Sequence, residues 1–117
     1  MKNKFLILYI TILSILALNS CNNEAITCKI TSPKNEAEFW KKRDIVIPVT
    51  VSATTNRGSI IQVQVFIDDD VVGSLTEPPY NFTIPIDSLP ARTHYLTAVA
   101  YSSSNQEVDA IFITIKE

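Results

Sequence analysis

From Ile26 onward, apolar residues recur at every second position in short runs, and each run is closed by turn-forming residues. Ile45, Ile47, Val49, Val51 and Ala53 make the clearest series, with Val46, Pro48, Thr50 and Ser52 on the other face. A period of two sends successive side chains to opposite sides of an extended strand, whereas a helix needs apolar residues three and four apart. The same alternation marks Ile26 to Thr31. It returns in Val63, Val65 and Ile67 against Gln62, Gln64 and Phe66, and again in Tyr80, Phe82 and Ile84. His94, Leu96, Ala98 and Ala100 then oppose Tyr95, Thr97, Val99 and Tyr101, and Ile111, Ile113 and Ile115 oppose Ala110, Phe112 and Thr114. No helical period of any length interrupts this series.

The punctuation is equally regular. Ser32-Pro33-Lys34-Asn35, a loop at 54–59, Asp68-Asp69-Asp70, Glu77-Pro78-Pro79, a longer connection over 85–93 and Ser102-Ser103-Ser104-Asn105 all carry turn chemistry. Ala37 to Trp40 is expected as a short edge segment and Val71 to Leu75 as a short strand. Pro48 cannot donate a ladder hydrogen bond, which predicts a sheet edge or an unpaired position there. About seven short antiparallel strands in roughly 90 residues predict an all-β chain folded as an immunoglobulin-like β-sandwich.

The first 25 residues have another character. Lys2 and Lys4 form a positive head, and Phe5 to Leu18 is apolar apart from Thr11 and Ser14. At ~1.5 Å per residue this run spans about 21 Å as a helix, short of the ~30 Å of a bilayer core. Charged head, apolar middle and small residues before a cut follow the order of a secretory signal peptide. Leu18-Asn19-Ser20-Cys21 resembles a bacterial lipobox. The resemblance implies that 1–20 is a cleaved lipoprotein signal peptide and that Cys21 carries a covalent lipid. Residues 21–25 would be anchor and short tether, and 26–117 the domain. Two other readings stay open: an ordinary secretory signal leaving Cys21 able to bond Cys28, and an uncleaved membrane helix. The expected location is the cell envelope, lipid-anchored, at the outer membrane or cell surface in a Gram-negative host.

Net charge is -2, and loss of Lys2 and Lys4 would make the remaining chain more acidic still. That balance gives no footprint for nucleic acid. Lys41-Lys42-Arg43 is too short for a phosphate site and reads as a solvated loop. Cys28 alternates in phase with Ile26 and Ile30, so it is expected as a small buried hydrophobe. His94 is the single histidine, in phase with Leu96 and Ala98, and is expected as a structural residue at the sandwich rim. The Asp68–Asp70 run reads as a solvated hairpin turn, because three consecutive side chains cannot supply the six to eight oxygens of a calcium site. Two glycines exclude a Gly-rich phosphate loop, and no cysteine–histidine spacing suits zinc. No catalytic residue, metal or cofactor is therefore expected beyond the lipid on Cys21.

Several segments, in order, resemble a bacterial Ig-like domain family. They are Ile30-Thr31-Ser32-Pro33, Gly58-Ser59-Ile60 with Val63, Val65, Ile67 and Asp68, Val72 to Thr76, Pro79-Tyr80-Asn81-Phe82, Leu89-Pro90-Ala91, and Thr93 to Tyr101. The resemblance implies a binding or spacer module rather than a catalyst. In such a sandwich the strands at 60–67, 94–101 and 107–115 share a sheet. Its outer surface would then carry Phe66, Tyr95, Val99, Tyr101 and Phe112, a candidate binding face. The leading expectation is a membrane-anchored lipoprotein whose domain binds an envelope or surface protein through this face. A carbohydrate-binding accessory protein would use the same aromatics on a glycan. An inhibitor or immunity-type protein would bind through loops 54–59 and 102–106 instead.

Overall fold

The computed structural model describes residues 24–117. The expected signal segment 1–20, Cys21 and the first part of the tether lie outside the described residues. Eight strands run in the order β1 (Ile26–Ser32), β2 (Ala37–Trp40), β3 (Val46–Thr55), β4 (Gln62–Ile67), β5 (Asp70–Leu75), β6 (Tyr80–Pro85), β7 (Thr93–Tyr101) and β8 (Gln106–Lys116). One turn of 3-10 helix at Ile86–Ser88 precedes β7. The strands form a three-stranded sheet, β1-β3-β6, and a five-stranded sheet, β2-β8-β7-β4-β5. Residues 37–40 supply the eighth strand, and β2 pairs parallel with β8 while every other pair is antiparallel.

The two-residue period decides which side chains meet between the sheets. Ile47, Val49 and Val51 of β3 and Tyr80, Phe82 and Ile84 of β6 point inward from the smaller sheet. Val63 and Val65 of β4, Leu96, Ala98 and Ala100 of β7, and Ile113 and Ile115 of β8 meet them from the larger one. Each such aliphatic side chain contributes about 1.5–3 kcal/mol when fully buried, and a slip of one residue would turn the whole row outward. Cys28 packs against this core, as its phase predicts.

Two local expectations are corrected and one is narrowed. Ile45 continues the inward phase in sequence, yet it is 83% exposed because β3 begins only at Val46. Of the two alternatives for Pro48, the edge strand does not hold, since β3 lies between β1 and β6, and the unpaired position does. The proline is tolerated because β1 pairs only with residues 50–55 of β3, leaving one flank open at Pro48. Thr54 and Thr55 belong to β3 rather than to the following loop, held by pairing with Thr27 and Ile26.

Turn chemistry closes the hairpins. Asp68 and Asp69 both have positive φ, 48° and 81°, and Ile67 pairs with Asp70 across them. This is the two-residue turn whose backbone twist matches that of the strands, and aspartate tolerates the left-handed region better than most residues. On β5, Gly73 faces inward beneath Phe82, where a Cβ would stand 3.1 Å from Phe82 Cδ2.

Candidate functional site

The outer surfaces of the two sheets differ in chemistry. On the smaller sheet they present Thr27, Lys29 and Thr31, then Thr50, Ser52 and Thr54, then Asn81 and Thr83, with Val46, Pro48 and Pro85 together at one end. Hydroxyls and amides pair across that surface: Thr27 with Thr54, and Thr50 Oγ1 with Asn81 Oδ1 at 3.1 Å. On the larger sheet, strand register assembles apolar rows instead. Val71, Phe66, Thr97 and Ala110 lie side by side across β5, β4, β7 and β8. Gln64, Val99 and Val108 form the row on one side of it, and Tyr95 opposite Phe112 the row on the other.

The candidate residues take distinct positions. Tyr95 and Phe112 are 55% and 46% exposed, their ring centroids 5.2 Å apart and their planes tilted by 54°. Phe66 is half-buried. Tyr101 is also half-buried, and its hydroxyl donates to Gln64 Oε1 at 2.9 Å. Val99 corrects the expectation of an exposed side chain. It is buried, because residues on β4 and β8 close over it, and it forms the floor of a shallow cavity of about 320 Å³ lined by Phe66, Asp69, Thr97 and Val108. Val71 and Val108, which outward phase alone did not single out, are 60% and 48% exposed and extend the patch. Trp40 lies on the edge strand β2 with Lys116 Nζ 5.2 Å from its ring centroid, an apolar ring and a cation in cation–π contact.

Among the described residues, the buried polar side chains are His94 and Ser102. Each is matched by a carboxylate, and they lie at opposite ends of β7. His94 Nδ1 meets Asp68 Oδ2, and Nε2 stands 2.8 Å from the carbonyl of Pro90. Both ring nitrogens thus have an oxygen partner, so the buried ring leaves no polar atom unmatched. Asp68 also accepts the Tyr95 N–H at 2.9 Å and pairs with Arg92 at 3.3 Å. Burial pushes the Asp68 carboxyl up. The hydrogen bonds from His94 and Tyr95 and the charges of His94 and Arg92 more than offset it, leaving the group below its ordinary value. Asp68 is therefore not simply solvated, as the aspartate run suggested, but braces the turn against β7. A histidine in an inward-facing row was the available signal, since a buried imidazole requires partners.

At the other end, Ser102 Oγ donates to Glu24 Oε1, while Thr55 Oγ1 donates to Glu24 Oε2 at 2.9 Å. The Ser102 hydrogen bond leads in holding the Glu24 carboxyl below its usual value; burial opposes it, and Thr55, Ser104 and Arg57 add to the lowering. Ala25 N–H donates to Asn56 Oδ1 at 2.8 Å, and Asn56 N–H returns a bond to Ala25 O at 3.2 Å. Residues 24 and 25, expected as tether, are bonded to two loops of the domain. No group of three or more histidine, cysteine, aspartate or glutamate side chains among the described residues converges as a metal site.

Two stacked sheets with this strand order define an Ig-like β-sandwich, and the chain belongs to the bacterial Ig domain family, whose model matches residues 27–98. Solved structures of similar fold include the fibronectin(III)-like modules of CbhA from Clostridium thermocellum, with 24% identity, TM-score 0.68, and coverage of 80% of this chain and 48% of that one. The endo-β-1,4-mannanase from Thermotoga petrophila gives 17% identity and TM-score 0.65 over 80% of this chain and 20% of that one. A β-glucuronidase from Bacteroides uniformis gives 20% identity and TM-score 0.54 over 79% of this chain and 11% of that one. This chain thus spans less than half the length of each. Comparison with curated proteins gave no match.

Proposed function

We propose that this protein is an envelope lipoprotein, acylated at Cys21, whose Ig-like domain binds a partner protein through the outer face of the five-stranded sheet. The observation that carries the reading is the contrast between the two outer faces. Strand propensity favours aromatic and β-branched residues wherever strands occur, so on its own it would enrich both faces alike. Here one face is mostly threonine, serine, lysine and asparagine, its apolar residues Val46, Pro48 and Pro85 confined to one end, and the other gathers Tyr95, Phe112, Val71 and Val108 around Phe66. A contiguous apolar surface of that kind is costly to leave in water and marks an interaction site. Exposed aromatics of this type are also the side chains that dominate binding energy at protein interfaces.

Tyr95→Ser combined with Phe112→Ser tests the face. The variant should stay folded with a lowered thermal transition, because each ring is only about half covered and their mutual contact is lost. It should also lose the envelope proteins that the parent chain captures. Unchanged capture by a folded variant would refute the face. A glycan array run in parallel addresses the carbohydrate reading. The 54° tilt between the Tyr95 and Phe112 rings disfavours a flat platform for stacking a sugar, so the array should stay blank. Acylation is read from the mass of the mature N-terminal peptide, which should begin at Cys21 and carry acyl chains.

A further inference from the structure

The two ends of the sandwich are not equivalent with respect to the N-terminus. Glu24 and Ala25 are fastened to the tip that carries residues 56–61 and 102–105 through Thr55, Asn56, Ser102 and Ser104. We infer that this tip is the membrane-facing end of the domain, resting on lipid headgroups, and that the opposite tip is presented outward. The inference rests on the proposed acylation of Cys21. Two residues, Asn22 and Asn23, lie between Cys21 and Glu24, and the three steps from one to the other, at ~3.3–3.6 Å each, reach at most about 11 Å. Strand β3 alone has ten residues and extends about 30 Å at ~3.3 Å per residue. The fastened tip must therefore stay near the lipid, and the far tip reaches it only if the domain lies flat.

One observation favours the upright orientation. The clasp leaves no slack between the tether and the domain, since both carboxylate oxygens of Glu24 and both backbone groups of Ala25 are engaged. The outward tip then displays the 40–46 connection, with Trp40, Ile45 and Val46 exposed, and the sheet face stands roughly perpendicular to the membrane.

The test uses the full chain made in a host that acylates lipoproteins, then reconstituted into phosphatidylethanolamine–phosphatidylglycerol vesicles. Single fluorophore positions are introduced as Ser59→Cys, Ser103→Cys, Lys42→Cys and Asp87→Cys in a Cys28→Ala background. Quenching by a nitroxide borne on the lipid headgroup should be strong at 59 and 103 and stay at the lipid-free background at 42 and 87. Glu24→Ala, which opens the clasp, should narrow that difference while leaving vesicle retention intact. Retention on vesicles with equal quenching at all four positions would overturn the orientation alone. A chain that fails to stay with vesicles and lacks acyl mass on Cys21 would overturn the anchor, and the orientation with it.

Discussion

Asp68 Oδ2 accepts a hydrogen bond from Nδ1 of His94, a residue 26 positions further along the chain and buried between the sheets. The contact ties the β4–β5 hairpin to the start of β7, the central strand of the larger sheet. Removing one member of this hydrogen bond leaves the buried partner unsatisfied, which costs about 1–3 kcal/mol, so Asp68→Ala should destabilise by that order. Urea unfolding should show that loss as a lower midpoint with an unchanged slope. His94→Gln should also destabilise, and the double variant should lose less than the sum because both remove one interaction. Additive losses would show that the two residues act separately.

Acid should weaken the same brace. The Asp68 carboxyl is held below its ordinary value in the folded chain, so the unfolded chain binds its proton first as pH falls. Stability from this group is therefore complete above the unfolded value, about 3.9, and is lost as pH drops through the folded value. Thermal melts should show the transition falling steeply below about pH 4. Asp68→Asn, already lacking the charge, should flatten the curve in that window. Identical pH profiles for parent and variant would contradict the linkage.

The alternation in β3, β4, β6, β7 and β8 was legible because one period fixes both conformation and burial. Ile47, Val49 and Val51 face the core because their neighbours Pro48 and Thr50 cannot. The pattern failed where burial depends on something other than phase. Ile45 keeps the phase but precedes the strand. Val99 has the outward phase but is covered by residues from the adjoining strands. The parallel pairing of β2 left no mark in four residues of mixed character. The bracing role of Asp68 was hidden for another reason: the turn it occupies is local, whereas its side chain acts on a residue far along the sequence. The face made of Phe66, Tyr95 and Phe112 was legible because it needed only strand phase and the order β8-β7-β4.

Gly73 is set by packing rather than by backbone freedom. Its Cα faces the ring of Phe82, and an added Cβ would come within 3.1 Å of Cδ2. Phe82 is itself held between the sheets and has little room to withdraw. Gly73→Ala should therefore destabilise by about 1 kcal/mol, toward the low end for overpacking a core, and Gly73→Val by more. Gly58, whose Cβ would meet nothing within 4 Å but whose φ is +67°, serves as the contrast. There the cost of alanine is conformational, and Phe82→Leu, which opens space beneath residue 73, should rescue Gly73→Ala but not Gly58→Ala. Chemical denaturation of Gly73→Ala, Gly58→Ala, Phe82→Leu and the two double variants separates the two causes, and rescue of both or neither would refute the packing account.

Cys28 has no disulfide partner among the described residues, and its thiol lies against the core near the carbonyl of Ala98. Burial pushes its pKa up to about 11, helped by the negative charge of Asp109 and opposed by backbone N–H groups. Relative to an ordinary thiol near 9, about 100-fold less thiolate is present at pH 8. A more basic thiolate is a better nucleophile, which returns about tenfold of that at a Brønsted slope of ~0.4–0.5. The net expectation from charge alone is alkylation slowed by roughly tenfold, with burial slowing it further. Iodoacetamide labelling of Cys28 at pH 8 should thus be slow in buffer and rise by at least about tenfold in urea, where the thiol returns to its ordinary value. Asp109→Asn retains an acceptor for the Ile30 N–H, which Asp109 Oδ2 holds at 2.8 Å, yet removes the charge. It should speed labelling of the folded protein modestly, and equal rates in buffer and urea would show that Cys28 is not shielded.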